Sequence, residues 1–253
     1  GMILFGHQST VAVSFDEVMM MAKAIDRGSE YGLRMVDMPY WSFHVSKEQA
    51  VENAGRFVHE ANAEVMKCEG NRHHVPAIEA IVSAGIPVQG HIGITPMRMP
   101  QLGGFVAQGK TADRAKELID DAKAMYDAGC FSIVLECLPD CVSAAITSSV
   151  NVPTIGIGAG SNTNGQILVY HDLLGFLQHP HHAKVTPKFC KQYAQVGKVI
   201  NDAMIHFKHD VATGIFPGAL FSPYILKHHE REIFVELLKK SGYFDAASGV
   251  EAS

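Results

Sequence analysis

Residues 111–136 read TADRAKELIDDAKAMYDAGCFSIVLE, and this stretch contains the repeating unit on which the fold depends. Thr111 is a good N-cap, and the amphipathic segment after it predicts a helix that is closed by Gly129. The mostly apolar run 131–135 then predicts a buried strand that ends at Glu136. A helix that leads into a buried strand with a charged residue at its end is typical of an α/β fold.

The same unit recurs along the chain. Ser14 with Glu17, and Ser46 with Gln49, have the spacing of capping boxes, so each pair predicts the start of a helix. Helices are predicted at 14–27, 46–61, 74–84, 111–128, 140–149, 188–212 and 230–241. Short apolar segments alternate with them and predict strands at 33–36, 65–66, 86–91, 131–135, 152–157 and 167–170.

Several of the predicted strands are apolar throughout and lack a period-two pattern. A strand of this kind is buried on both faces, which is typical of a parallel sheet covered by helices. The residues alone therefore predict an α/β fold with a parallel sheet. The length of 253 residues suits one large domain or two small ones, and no linker or fixed-period repeat is visible.

Composition excludes several classes of protein. Apolar residues make up 47% and charged residues 19%, which is enough apolar material for a sizeable core. The formal net charge of −5, without a basic block, argues against nucleic acid or an anionic membrane as a partner. No apolar run approaches the roughly 18 residues of a membrane span. Five cysteines without a CxxC pair indicate reduced thiols in a cytoplasmic protein.

Ionisable residues follow four of the predicted strands. They are Asp37, Lys67 with Glu69, His91 and Glu136. Because parallel α/β folds place their chemistry at the carboxyl ends of the strands, these side chains are expected to converge on one site. A single residue such as Asp37 could equally be a helix cap or a solvated loop residue. Four such ends in succession favour an active site.

The residue types in this set fit one chemistry. Asp37 and Glu69 suit a hard cation such as Mg²⁺, which takes one or two protein carboxylates and leaves positions for substrate and water. An α-keto acid could chelate that ion through its carboxylate and ketone oxygens, so that the metal would stabilise an enolate. The sequence therefore predicts a metal-assisted site for a small keto acid.

The other three ionisable residues each have more than one interpretation. Lys67 and Glu69 point to the same side of an extended strand, so Lys67 could bind the substrate carboxylate, or it could be an ordinary surface lysine. Glu136 could abstract a proton next to the ketone, or it could pair with a neighbouring basic residue. His91 could be a base or a metal ligand, but a lone histidine is most often a hydrogen-bonding scaffold residue.

Two further patterns are weaker signals. The glycine run 156–160 lacks the spacing of a dinucleotide-binding motif, and it favours a close backbone approach at the mouth of the site. The tract His179-Pro180-His181-His182 could bind a metal ion. Its proline and the lack of a nearby fourth ligand favour a solvated loop instead.

Six segments together form a specific set of motifs: VDMP (36–39), MKCEG (66–70), GIPVQGHIGITP (85–96), VLECLP (134–139), IGIGAG (155–160) and GQILV (165–169). The set resembles the ketopantoate hydroxymethyltransferase (3-methyl-2-oxobutanoate hydroxymethyltransferase) family. The motifs occur in the order of that family and extend to about Pro217.

The resemblance implies a (β/α)8 TIM barrel of the phosphoenolpyruvate mutase-like type, Mg²⁺ and a homodecamer. The implied reaction transfers a one-carbon unit from 5,10-methylenetetrahydrofolate to 3-methyl-2-oxobutanoate and gives 2-dehydropantoate for pantothenate biosynthesis. By position, Asp37 and Glu69 would be metal ligands, and Glu136 would be the proton acceptor. Asp37, Lys67 and His91 are assigned to substrate binding.

The sequence also departs from the family pattern. Family members carry two strands ahead of the point where this sequence starts, and the second of these ends in a Gly-Asp-Ser motif, so six strands are expected where a closed barrel has eight. Asn71, Met97 and Asn164 replace a glycine, a glutamine and an aspartate. Residues 1–217 are expected to form the catalytic barrel, and residues 218–253 a helical tail without a recognisable family counterpart.

Two alternative functions remain open at this point. The first is a Mg²⁺-dependent carbon–carbon lyase or mutase of the phosphoenolpyruvate mutase type. Such an enzyme would need an arginine-rich site for a phosphate or a second carboxylate, and only Arg72 and Arg98 lie near the predicted strand ends. The second is a truncated relative that assembles but does not turn over.

Overall fold

The computed structural model describes residues 2–7, 9–98, 106–176 and 187–252. The chain divides into two compact units, of which the first extends to Gln195 and the second begins at Val196. The histidine tract at 179–182 lies outside the described residues. The functional boundary expected at residue 217 stays a prediction, because compactness alone does not test it.

The first unit contains a sheet of six strands: β1 (Met35–Asp37), β2 (Val65–Glu69), β3 (Val88–Gly93), β4 (Ser132–Glu136), β5 (Thr154–Ile157) and β6 (Gly165–Gln166). The strands lie side by side in chain order, and every neighbouring pair is parallel. This is the strand order of a (β/α)8 barrel. The prediction of a parallel α/β barrel fold is therefore confirmed for the six strands that the described ranges contain.

Helices lie before, between and after the strands of this unit. They are α1 (Met2–Phe5), α2 (Phe15–Gly28), α3 (Lys47–Ala61), α4 (Val75–Ser83), α5 (Ala112–Asp127), α6 (Asp140–Thr147) and α7 (Tyr170–Leu173). Short 3₁₀ turns occur at Thr10–Ala12, Arg72–His74 and Pro96–Arg98.

Local hydrogen bonds explain where two of these helices begin. The hydroxyl of Ser14 accepts a bond from the Glu17 amide, and a Glu17 carboxylate oxygen accepts one from the Ser14 amide at 2.7 Å, so this capping box is complete. Ser46 accepts from the Gln49 amide at 3.1 Å. The Gln49 side chain, however, accepts from the amide of Val45 and not from that of Ser46, so the second predicted box is only half formed.

Side chains alternate between the two faces of the sheet. The side chains on one face are buried in the core with residues of the helices, and they are Val36, Met66, Cys68, Val88, Ile92, Ile133 and Leu135. Phe57 of α3 and Ile81 of α4 are fully buried in the same core. The opposite face carries the ionisable residues of the strands. The helices thus hold the sheet from one side and leave the other side available for a site.

The last strand of the sheet differs from its prediction. β6 covers Gly165–Gln166, and the predicted strand 167–170 is wrong, because Tyr170 already begins α7. Only the amide of Ile167 continues the pairing, donating to the Gly156 carbonyl at 3.0 Å. Residues 167–169 are apolar because they line the cavity described below, and not because they extend the sheet.

The second unit is helical. It contains α8 (Val196–Thr213), a 3₁₀ turn at Ala219–Phe221, α9 (His228–Lys240) and α10 (Phe244–Ala252). The predicted start of the long helix at residue 188 is wrong by eight residues. The preceding segment is irregular, and the amide of Tyr193 donates to the carbonyl of Leu173, outside any helix. Within the described residues, no helix is both long enough and apolar enough to cross a bilayer.

Candidate active site

A cavity of about 590 Å³ opens over the carboxyl ends of the strands in the first unit. Its polar wall contains the five ionisable residues that the sequence analysis singled out, and these are Asp37, Lys67, Glu69, His91 and Glu136. They come from four neighbouring strands, and each points away from the helix-packed face. The structure therefore brings all of the predicted site residues together.

Lys67 and Asp37 form an ion pair across the first two strands. The two residues are direct partners in the parallel register of β1 and β2, which places their side chains next to each other. Only 18% of the Lys67 side chain is exposed, so the interpretation as a surface lysine is excluded. Burial lowers the pKa of Lys67, but the nearby carboxylates of Asp37, Glu69 and Glu136 outweigh it and raise the pKa above its ordinary value. Lys67 is thus a retained positive charge in the cavity.

Glu69 is a buried carboxylate held by a backbone donor. Its Oε2 atom accepts a hydrogen bond from the amide of Met97 at 3.1 Å. Burial raises the pKa of Glu69, while the positive charge of Lys67 and the neighbouring His91 act in the opposite direction. A cation bound at this oxygen would compensate the cost of keeping the carboxylate ionised.

His91 lies between two carboxylates. Its Nε2 atom is 3.1 Å from Oε2 of Glu136, and its Nδ1 atom is 3.9 Å from Oε1 of Glu69. The side chain is only 2% exposed, and neither ring nitrogen has a hydrogen bond of acceptable direction within the described residues. The ring of His91 is therefore enclosed between the two carboxylates. The roles considered for His91, as a base, a metal ligand or a scaffold residue, stay predictions.

The backbone around Glu136 is held closely on both sides. Gly93 is its partner on β3, and a Cβ atom at Gly93 would lie 2.1 Å from the Glu136 carbonyl oxygen, so only glycine fits there. On the other side, the amide of Cys137 donates to the carbonyl of Ile157 at 2.9 Å. Cys137 itself has a φ of 54°, which is uncommon for a residue with a side chain. These contacts determine where the Glu136 carboxylate points.

Two carboxylates of the cavity, Asp37 and Glu69, could hold a cation. In the described part of the chain, no group of three or more His, Cys, Asp and Glu side chains is arranged to hold a metal ion. A site built from two carboxylates fits Mg²⁺, which keeps several waters and takes few protein ligands, better than it fits zinc. The donor set is therefore compatible with the predicted metal.

Thr10 is a cavity residue that the sequence analysis did not single out. Its hydroxyl is buried against the cavity and has no hydrogen-bond partner within the described ranges. Thr10 begins a 3₁₀ turn whose N-cap is Ser9, so in the sequence the Ser-Thr pair looks like ordinary capping. A buried hydroxyl without a partner is unfavourable, which suits it to receive a ligand.

Apolar side chains complete the cavity wall. Those contributed by α2, β5 and the segment after β6 are Val18, Ile155, Ile157, Ile167, Leu168 and Val169. A cavity with a few converging charges and an apolar remainder suits a small organic anion that has an apolar end.

The residues that depart from the expected motifs have local structural roles. The Asn71 side chain caps the turn Arg72–His74 by accepting from the His73 amide at 3.1 Å. The Asn164 side chain accepts from the Thr154 amide at 2.9 Å and so ties the segment before β6 to β5. Met97 binds Glu69 through its backbone amide, so the change of side chain leaves that bond available.

The glycine run permits a close approach, as predicted, and its partner is a side chain of α6. A Cβ atom at Gly160 would collide with the Asp140 carboxylate, which accepts from the Ser161 amide at 3.1 Å and from the Asn162 side chain at 2.8 Å. These bonds anchor the loop after β5 to the start of α6.

Comparison with known proteins agrees with the motifs. The profile of the family described as ketopantoate hydroxymethyltransferase matches residues 1–219. The chain belongs to the ketopantoate hydroxymethyltransferase family. The family resemblance is thereby confirmed.

Individual relatives cover different parts of the chain. The 3-methyl-2-oxobutanoate hydroxymethyltransferase 1, mitochondrial, of Arabidopsis thaliana is 47% identical over 98% of this chain and 72% of its own length. The rice (Oryza sativa subsp. japonica) protein of the same name is 46% identical over 100% of this chain and 70% of its own. The 3-methyl-2-oxobutanoate hydroxymethyltransferase of Heliobacterium modesticaldum is 48% identical over 86% of this chain and 77% of its own.

These alignments correct one expectation. The tail after Pro217, for which the motifs offered no family counterpart, aligns with the rice relative along its whole length.

Among solved structures, a protein described as a lyase or mutase from Burkholderia cenocepacia J2315 is 16% identical, with a TM-score of 0.44 over 86% of this chain and 74% of that chain.

Proposed function

We propose that this protein transfers a hydroxymethyl group from 5,10-methylenetetrahydrofolate to 3-methyl-2-oxobutanoate and forms 2-dehydropantoate, a step of pantothenate biosynthesis. The observation that carries the proposal is the cavity of about 590 Å³ in which five ionisable side chains from four adjacent strands converge, in a chain of this family. The name of the Arabidopsis relative supports the same reaction.

The keto acid has a charged end and a branched apolar end, and the cavity offers a partner for each. In this proposal the ammonium of Lys67 binds the substrate carboxylate, while Asp37 orients that ammonium through their ion pair. The apolar side chains of Ile155, Ile157 and Leu168 surround the isopropyl group. The hydroxyl of Thr10 is a further donor for the bound acid.

Glu136 is the proposed general base. It removes the proton from C3 of the keto acid, and the electron pair left on C3 attacks the methylene carbon of the folate while the bond between that carbon and N10 breaks. Water then adds its hydroxyl group to the same carbon while the bond to N5 breaks. The proton taken from C3 and the remaining proton of water go to the two nitrogens of the departing tetrahydrofolate. His91, whose Nε2 atom lies 3.1 Å from the Glu136 carboxylate, positions the base.

The proposal includes Mg²⁺ at Asp37 and Glu69. When bound there, the ion supplies Lewis-acid polarisation of the substrate ketone. The support for this assignment is the pair of cavity carboxylates on neighbouring strands, together with the preference of Mg²⁺ for one or two protein carboxylates.

Proton exchange tests the first chemical step separately from the transfer. The protein is incubated with 3-methyl-2-oxobutanoate and MgCl₂ in D₂O, and loss of the C3 proton signal is followed by NMR. Exchange without any folate, and formation of 2-dehydropantoate when 5,10-methylenetetrahydrofolate is added, are the expected results. The proposed function is contradicted if both proton exchange and product formation stay at the level measured without protein.

Two further properties are part of the proposal. A homo-oligomer, with the decamer implied by the family resemblance, is supported by exposed apolar side chains on α8, among them Ile200, Met204 and Ile205. Light scattering should then give the mass of ten chains of 27.5 kDa.

A cytoplasmic location is supported by the five free thiols, whereas the two plant relatives are named mitochondrial. Cell fractionation distinguishes these compartments.

A further inference from the structure

One aromatic residue beside the cavity has an unusual backbone conformation. Trp41 has a φ of 68°, in the left-handed region. The amide of Ser42 donates to the carbonyl of Pro39 at 3.1 Å, so residues 39–42 form a β-turn with Trp41 in its third position. A positive φ at that position is the signature of a type II turn, which normally requires glycine there.

Packing does not explain why a bulky residue occupies this position. The Trp41 side chain is 60% exposed, so little burial offsets the unfavourable backbone conformation. Strained residues of this kind are concentrated at ligand-binding sites. The strain and the exposure together suggest that the indole is held where a ligand can reach it.

The turn lies at the mouth of the active site. It follows β1, which ends at Asp37, and its first residue, Pro39, lines the cavity. Two residues of extended chain span at most about 7 Å, so Trp41 lies close to the cavity wall.

Trp41 is part of a small group of planar rings. Its ring is nearly parallel to that of His44, with 12° between the planes and 6.4 Å between the centroids, and it lies 5.8 Å from the ring of Tyr40. We call Tyr40, Trp41 and His44 the aromatic rim. Within the rim, Trp41 and His44 are nearly parallel, whereas the ring of Tyr40 is tilted by 42° from that of Trp41.

We propose that the aromatic rim binds the pteridine ring of the folate co-substrate by stacking on Trp41. This inference rests on the proposed function. The transferred carbon is bonded to a nitrogen of the reduced pteridine, so that ring must lie beside the keto acid at the mouth of the cavity. Flat heteroaromatic rings stack favourably on exposed indole rings. The charged residues inside the cavity are already assigned to the keto acid and the cation.

Tyr170 is the competing aromatic residue on this side of the sheet. It follows Val169, which lines the cavity, and its side chain is also exposed. Both residues contact two neighbouring rings, but the backbone φ of Tyr170 is not in the left-handed region. The strain at Trp41 therefore favours the rim over Tyr170.

Trp41 is the single tryptophan of the sequence, which makes a direct binding test possible. Tetrahydrofolate is added to the wild-type protein with MgCl₂, and the quenching of tryptophan fluorescence by acrylamide is measured at each concentration. A ring stacked on the indole should protect it and lower the Stern–Volmer constant in a saturable way. An unchanged constant at folate concentrations that saturate turnover would overturn the proposal.

Kinetics with three variants provide the second test. Trp41→Gly removes the ring and relieves the strain, and it should raise KM for 5,10-methylenetetrahydrofolate roughly 5- to 150-fold, with a much smaller change for the keto acid. Trp41→Phe keeps a ring and should retain most of the folate affinity. Tyr31→Ala removes an aromatic side chain that is 92% exposed before β1, at the other end of that strand, and should leave both KM values unchanged.

The possible outcomes distinguish this inference from the proposed function. The thermal midpoint of Trp41→Gly should equal or exceed that of the wild type, so a loss of folate affinity cannot be ascribed to unfolding. Three outcomes contradict binding of the pteridine ring at the aromatic rim. They are an unchanged folate KM in Trp41→Gly, an equal rise of both KM values in that variant, and a loss of folate affinity in Tyr170→Ala instead. Failure of the wild type to exchange the C3 proton contradicts the proposed function itself.

Discussion

The Nε2 atom of His91 lies 3.1 Å from the carboxylate of Glu136, although the two residues are not partners in the sheet. In the register of β3 and β4, Glu136 is opposite Gly93, and His91 is opposite Val134. The contact is therefore diagonal, and it exists because both side chains turn towards the same cavity. His91 reaches Glu69 with its other nitrogen, which makes it a link between the proposed base and a proposed metal ligand.

Replacing the proposed base tests this arrangement. Glu136→Gln keeps the size of the side chain but removes its ability to accept a proton. We expect kcat to fall by about 10²- to 10⁴-fold with a small change in KM for the keto acid, because general base catalysis contributes about that much. Steady-state kinetics measure both constants. A kcat within a factor of two of the wild type would remove Glu136 from this role.

Removal of the Thr10 hydroxyl should affect substrate binding but not the stability of the fold. Thr10→Val preserves the shape of the side chain, and it removes a buried hydroxyl that has no partner within the described residues. The free energy of unfolding should be unchanged or higher, whereas KM for the keto acid should rise about 2- to 13-fold for the loss of one hydrogen bond. Calorimetry and kinetics separate the two effects. A fall in stability with an unchanged KM would show that the hydroxyl is structural.

Because β3 and β4 approach each other closely at Gly93, we expect one added methyl group there to destabilise the folded protein strongly. Gly93→Ala would place a Cβ atom 2.1 Å from the Glu136 carbonyl oxygen, at a residue with a φ of 104°. The free energy of unfolding should fall on the order of 3 kcal/mol. Gly55→Ala is the matched control, because Gly55 lies inside α3 with no atom near its Cβ position, and it should gain about 0.5–1 kcal/mol. Chemical denaturation measures both. Equal effects in the two variants would contradict the steric argument.

The cysteines should differ in reactivity. Burial raises the pKa of Cys130 and of Cys137 to about 12, and it raises the pKa of Cys68 still further, so these thiols are almost entirely protonated near pH 8. Cys141 is exposed. Brief treatment with iodoacetamide at pH 8, followed by peptide mass spectrometry, should label Cys141 first. All five thiols should react once guanidinium has unfolded the chain, and early labelling of Cys68 in the folded protein would count against its burial.

The capping box of α2 predicts that the stability of the folded protein depends on pH. Hydrogen bonds from the backbone amide and the hydroxyl of Ser14 lower the pKa of Glu17 below its ordinary value of 4.5. A depressed pKa in the folded state means that the contribution is present above pH 4.5 and is lost as the pH falls through the folded-state pKa. Acid titration of stability should show an additional loss in this range for the wild type. Glu17→Gln should lack this additional loss. Identical profiles of stability against pH in the two proteins would contradict the contribution of the Glu17 carboxylate.

The site residues could be predicted because they depend on local pattern and on a general property of parallel sheets. Apolar runs that end in Lys67 with Glu69, or in Glu136, identify strand ends, and parallel strands bring such ends to one side of the fold. The capping residue Ser14 and the closing residue Gly129 likewise act over a few neighbouring positions. These features needed no knowledge of distant contacts.

The errors arose where distant contacts decide the structure. Residues 167–169 are apolar because they line the cavity, and an apolar run does not reveal whether its partner is another strand or a cavity. The early start predicted for α8 ignored the bond between Tyr193 and Leu173, which are 20 positions apart. The turn at Trp41 carries no glycine, so its left-handed backbone was invisible in the pattern.

By itself, the sequence determined the order of the first five strands and of the helices between them, the set of motifs and the five ionisable residues of the cavity. Only the tertiary structure decided which of them meet: Lys67 with Asp37, and His91 with both Glu69 and Glu136. The physical reason is that periodicity and capping are determined by neighbours in the chain. The partner of a buried charge, in contrast, is determined by strand register and by the cost of leaving that charge without compensation.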